Sequence, residues 1–263
     1  MSKFLIYSLL LLTLVLSACE EAFEIDPRQV EETIVIESTL SSTPSQPLAF
    51  ISLSGSLSEA GNFRWVDNAE LSMSTASGGL YPASLADTGV YIFPGLTPVS
   101  GETYTLDVNY EGKNYRASSY LHSPQPIDSL SFEYRGEGPI REAGYMMSAH
   151  FTPPSSDLYM RFWVSVNGRP LYDYFLYNGW QEGGDAGLYI FRTTAFEPGD
   201  SIVVTAAVVD QEVYTYYDQL SALAGSAFSS GSAAPANPQS NFSGGALGYF
   251  AALGISTKQA VVK

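Results

Sequence analysis

A chain of 263 residues with 27 acidic and 12 basic side chains has a formal net charge of −15, so its own field opposes nucleic acid and anionic lipid as partners. Charged residues make up only 15% and aromatic residues 13%, with 18 Tyr, a balance that suits twisted strands and argues against a disordered or a long-helix chain. The length fits one large or two modest domains, and a mainly β protein of two is expected.

The first segment reads as a processing signal. Lys3 supplies a positive start, and Phe4 to Leu16 form an apolar run of secretory length, too short for a stable membrane span. Leu16-Ser17-Ala18-Cys19 resembles the bacterial lipobox, in which the cysteine is acylated and then becomes the first residue after cleavage. Residues 1–18 are then a lipoprotein signal peptide and Cys19 the lipidation site; a soluble export signal or an uncleaved helix is the bland alternative. A single acyl chain holds a protein marginally and several hold it firmly, at about 0.8 kcal/mol per buried CH₂. Cys19 is the one cysteine, which excludes an internal disulfide, a second thiol nucleophile and a Cys-ligated zinc site.

Residues 19–32 read as an acidic tether, broken by Pro27 and without periodicity. Glu20, Glu21 and Glu24 resemble the export signal that sends Bacteroidota lipoproteins to the cell surface, against the simpler reading of a solvated linker. The expected location is the outer membrane, lipid-anchored and facing the exterior.

Regular structure is expected from Thr33. "TIVIESTL" sets Ile34, Ile36 and Leu40 on one face, "LAFISLS" follows the Pro44/Pro47 break, and "NAELSMST" at 68–75 is a third strand. "TYTLDVNY" alternates Tyr104, Leu106, Val108 and Tyr110 against Thr105, Asp107 and Asn109, and Glu111 to Asn114 turns it into a strand from Tyr115 to Tyr120. These strands predict an N-terminal sandwich of immunoglobulin or prealbumin type over 33–122.

Pro124 and Pro126 mark a stiff joint, and a C-terminal β domain is expected over 127–263. Its strand candidates are 127–134, 145–151, 158–166, 187–196 and 201–209, the last apolar on both faces apart from Thr205 and so central. Val213, Tyr216, Tyr217, Leu220 and Leu223 recur at helical spacing, which predicts one short helix over about 211–223, with Asp210 as N-cap and Gly225 as stop. A Ser/Gly/Pro-rich loop follows over about 224–245, longer than compact domains usually leave without structure.

Catalytic patterns are sparse. The two histidines, His122 and His150, lie apart, no G-x-S-x-G elbow or H-E-x-x-H pair occurs, and neither a serine triad nor a zinc centre is expected. No cofactor and no metal is expected. Asp185 and Asp200 sit in Gly-containing turns, where capping of the turn is favoured over calcium. "LYDYFLYNGW" gathers Tyr172, Tyr174, Phe175, Tyr177 and Trp180 near a turn, suited to ring-shaped ligands such as sugars, although alternation would bury about half of them. Arg161, Arg169 and Arg192 are scattered cations that could pair carboxylates on a ligand or on the protein.

"PANPQSNFSGGALGYFAALGISTKQAVV" at 235–262 resembles the C-terminal signature of a Bacteroidota outer-membrane lipoprotein family catalogued as domain of unknown function 4249. "CEEAFEID", "IVIEST", "DNAELSMS", "GETYTLDVNYEGKNYRASS", "PIDSLSF" and "YTYYDQL" stand in the same order as in that family, so the resemblance covers nearly the whole chain after residue 18. Phe242 departs from it, where a β-branched residue is expected. The resemblance implies no activity. It implies a non-enzymatic accessory of a TonB-dependent nutrient-uptake receptor, binding the receptor and its small-molecule, glycan or peptide cargo. Asn237, Asn241, Gly244 and Gly245 are candidate contacts beside the aromatic segment, or else fix a turn of the domain itself and order its last strands. The alternatives are a free-standing structural or adhesive module and, behind it, a carbohydrate hydrolase using two carboxylates.

Overall fold

The computed structural model describes residues 32–55, 64–138, 143–152, 157–172, 175–179, 186–190, 195–226 and 236–263. In chain order the strands are β1 (Ile34–Ser41), β2 (Leu48–Leu53), β3 (Arg64–Trp65), β4 (Glu70–Thr75), β5 (Leu80–Pro82), β6 (Ser84–Asp87), β7 (Val90–Ile92), β8 (Thr103–Tyr110), β9 (Lys113–Tyr120), β10 (Ser129–Arg135), β11 (Gly144–Phe151), β12 (Tyr159–Val166), β13 (Arg169–Pro170), β14 (Phe175–Asn178), β15 (Ala186–Ile190) and β16 (Ser201–Val209). Helix α1 (Gln211–Ser226), a short 3₁₀ turn (Ser243–Gly245) and β17 (Leu247–Val261) complete the chain. The protein is mainly β, in several sheets with one α-helix among the described residues, as the composition implied.

The local signals act where alternation is strict. In β8, Tyr104, Leu106 and Val108 are buried while Thr105, Asp107 and Asn109 face outward. Tyr110 pairs with Lys113, which narrows the expected turn to Glu111 and Gly112, both at positive φ (50° and 74°), the backbone that a two-residue hairpin matched to strand twist requires. β16 lies between β12 and β17, and its apolar residues serve both sheet faces.

A ten-stranded sheet runs β13-β12-β16-β17-β1-β2-β7-β6, with β14 also on β12 and β3 on β2. Two smaller sheets, β5-β4-β8-β9 and β10-β11-β15, are the others among the described residues. One core joins β1, β2 and β7 to β4, β8 and β9 through Ile36, Ile51, Phe93, Met73 and Leu106. A second joins β12 and β16 to β10 and β11 through Met147, Phe151, Phe162 and Val204. Each core is thus a sheet-on-sheet sandwich.

β17 links them. Its first half pairs parallel with β1, from Val35↔Leu247 to Ser41↔Leu253, and its second half pairs antiparallel with β16, from Val208↔Gly254 to Ser201↔Val261. Phe242, Ala246, Phe250 and Ala252 belong to the first core, whereas Val262 belongs to the second. The expected partition at 122/127 therefore leaves this segment in both units: residues 242–253 complete the N-terminal sandwich from the far end of the chain. Gly254 marks the crossing, where an added Cβ would lie 2.5 Å from the His122 carbonyl oxygen of the joint.

Candidate functional site

The C-terminal signature folds as a set of clamps. The Asn241 amide donates to the Phe250 carbonyl at 2.8 Å while its oxygen accepts the Phe250 N–H at 3.0 Å, so one side chain takes the place of a neighbouring strand. The Ser243 hydroxyl donates to the Arg116 carbonyl and accepts the Arg116 N–H, both at 3.2 Å, along the edge of β9. Gly244, at φ 82°, rests on that strand, where a Cβ would lie 2.7 Å from the Asn114 oxygen. Gly248, at φ 89°, is tighter still against the Ile36 carbonyl, which no side chain at this position could clear. Asn241 and Gly244, read from the sequence either as partner contacts or as residues that fix a turn of the domain, are engaged inside the fold. Phe242, off the family pattern, is buried in the first core. Gly245 and Asn237 are exposed.

A second polar centre lies where the joint meets the helix. Asp210, directly before α1, turns its carboxylate across to β9: Oδ2 accepts from the Ser119 hydroxyl at 2.5 Å and the Tyr120 N–H at 2.9 Å, and Oδ1 lies 3.0 Å from His122 Nε2. Ser119, 3% exposed, in turn accepts the Ala252 N–H of β17 at 2.9 Å. Here the acid stands between serine and histidine, so the histidine cannot take the serine proton as a triad base would. The geometry joins β9, the proline joint, the helix start and β17. Neither Asp210 as an expected N-cap nor His122 as an expected joint residue signalled this meeting in the sequence.

On the other face of the ten-stranded sheet, α1 sets Val213, Tyr216 and Tyr217 on Ala207, Val209, Ala251 and Leu253. The Tyr249 ring lies 4.9 Å from that of Tyr216 and 5.1 Å from that of Tyr217. The Arg161 guanidinium sits 3.7 Å from the Tyr217 ring centre and 4.5 Å from that of Trp163, a cation held by two aromatic rings. Burial pushes the Tyr217 phenol far above its ordinary range, with Arg161 acting in the opposite sense. Of the cations singled out from the sequence, Arg161 thus fastens the helix, Arg169 is exposed on β13, and Arg192 lies outside the described residues.

The aromatic segment divides. Tyr177 is 2% exposed and meets Phe151 edge to face at 4.9 Å in the second core, whereas Tyr172 is 89% exposed. Tyr174 and Trp180 lie outside the described residues, as do Cys19, Glu20, Glu21, Glu24 and Asp185. Asp200 caps its turn, accepting the Glu197 N–H at 2.9 Å and the Asn167 amide at 2.8 Å, and His150 meets the Ser131 hydroxyl at 2.7 Å. Among the described residues no three His, Cys, Asp or Glu side chains gather where a metal ion could sit, and no helix is long and apolar enough to cross a membrane. A surface cleft of about 490 Å³ is lined by Tyr134, Tyr145, Phe196, Glu197 and Pro198, with the two tyrosine rings edge to face at 5.5 Å.

A family model described as a domain of unknown function (DUF4249) matches residues 20–259, a span that includes the 241–250 clamp. The chain belongs to this family. No curated protein matches it. The match runs from just after Cys19 into the last strand, so the DUF4249 unit takes in both sandwiches and the strand that links them.

Proposed function

We propose that this DUF4249 chain is a lipid-anchored outer-membrane lipoprotein, a non-enzymatic accessory of a TonB-dependent nutrient-uptake receptor that binds the receptor and its cargo. The observation that carries the reading is the order of segments in the chain. The lipobox at Leu16–Cys19 is followed by Glu20, Glu21 and Glu24, and β1 begins at Ile34. The residues from Cys19 to β1 reach at most about 50 Å when extended, enough to stand a globular unit off a lipid surface. At its start the unit is held by Glu32, whose carboxylate receives Arg64 at 2.5 and 2.6 Å.

The family carries no assigned activity, and the accessory role rests on the resemblance of its members' setting to uptake systems. Tyr172, Asn237 and Gly245, exposed and outside the clamps, remain the candidate contacts of those named from the sequence. Fatty-acid labelling of the wild type and its loss in Cys19→Ala tests the anchor. Co-isolation of a barrel receptor from native outer membranes tests the accessory role, and a lipidated chain recovered alone would favour a free-standing surface module.

A further inference from the structure

The helix covers only part of the outer face of the ten-stranded sheet. Partners across a ladder share a face, so the register defines what lies beyond α1. One row across β17, β1, β2 and β7 is Tyr249, Glu37, Phe50 and Val90. The rows on either side carry Leu247, Val35, Ser52 and Trp65, and Ala251, Thr39, Leu48 and Ile92. Phe50 is 39% and Trp65 44% exposed, while Val35, Leu48, Val90, Ile92 and Leu247 are half-buried.

Among the described residues this is an open, largely apolar sheet face with one carboxylate set in it. Among the described residues no hydrogen bond or ion pair reaches Glu37. Glu37 is itself exposed, its apolar neighbours partly desolvate the carboxyl and raise its pKa, and its charge reaches the Tyr217 phenol beneath α1. A carboxylate kept within an apolar surface, between two rings, is complementary to a cation whose stem is apolar and whose head can lie against an aromatic face. The net charge of −15 steers such a partner inward.

We propose that this face binds a segment of a partner protein through a basic side chain flanked by aliphatic residues, the cation meeting Glu37 between Phe50 and Tyr249. The flanking residues pack on Val35, Leu48, Val90 and Trp65. The inference is independent of the lipid anchor and of any receptor.

The test is fluorescence anisotropy of a short dye-labelled peptide, one central arginine flanked by valine and leucine, against the full-length chain in mild detergent. Its control is the same peptide with citrulline, which keeps the shape and loses the charge. The expected result is binding about fivefold tighter for arginine. That preference disappears in Glu37→Gln, persists in Glu197→Gln, and both peptides weaken in Phe50→Ser. Glu37→Gln lies on the open face and leaves the cores untouched, so misfolding does not confuse the outcome. No binding, equal binding of the two peptides, a preference that survives Glu37→Gln, or a dimer of the chain that occupies the face would each overturn the proposal.

Discussion

Asn241 holds Phe250 by both of its backbone groups, at 2.8 and 3.0 Å, nine residues along the chain. The ring so positioned is fully buried in the first core, where complete burial of such a side chain contributes about 1.5–3 kcal/mol. Asn241→Asp keeps the size but loses the donor and sets a carboxylate against a carbonyl. We expect a loss of about 1–3 kcal/mol in unfolding free energy by urea denaturation. An unchanged midpoint would mean that the clamp is replaced by water at no cost.

Gly248 allows β17 to lie against β1. A Cβ there would lie in contact with the Ile36 carbonyl while the backbone is held at φ 89°. Gly248→Ala should cost about 2 kcal/mol or more and loosen the parallel pairing, read as faster amide exchange in Val35–Ser41. Gly245→Ala has open space and bears only the backbone cost at φ 83°, so its midpoint should fall less.

Removal of the Asp210 carboxylate leaves the Ser119 hydroxyl and the Tyr120 N–H without their acceptor. Asp210→Ala should destabilise by about 2–4 kcal/mol, and Asp210→Asn by less because one acceptor oxygen remains. Proteolysis at the 121–128 joint should rise in the alanine variant. Equal cleavage rates would separate the joint from this contact.

Glu37 predicts a pH dependence. Desolvation raises its folded pKa above the ordinary 4.5. The stability it adds is complete below the unfolded pKa and is lost as pH rises through the folded one. Thermal unfolding of the wild type should therefore weaken relative to Glu37→Gln as pH climbs from about 4 to 7. Parallel curves would show that the carboxyl is solvated in the free protein.

Much of the fold was legible where one physical rule acts locally. Alternation located β8, a run apolar on both faces located β16, and the 3.6-residue spacing of Val213, Tyr216, Tyr217 and Leu220 located the helix, which continues to Ser226. What local pattern could not supply was partnership across the chain. β17 joins a strand more than 200 residues earlier, and nothing in "GALGYFAALGIS" states that its first half belongs with Ile36 and its second with Val204. The same holds for the site. Asn241 and Gly244 were conspicuous because their roles are exacting, and those roles are internal. Glu37 was legible only as an outward residue of β1; its setting comes from Phe50 and Tyr249 on two other strands.

The accessory role is tested most directly by a mild-detergent pull-down of the full-length chain from native outer membranes, with Cys19→Ala as control and mass spectrometry of what is retained. Our account predicts a TonB-dependent receptor with the wild type, and its loss when the lipidation site is removed. Recovery of the lipidated chain alone, at comparable yield, would contradict the accessory role.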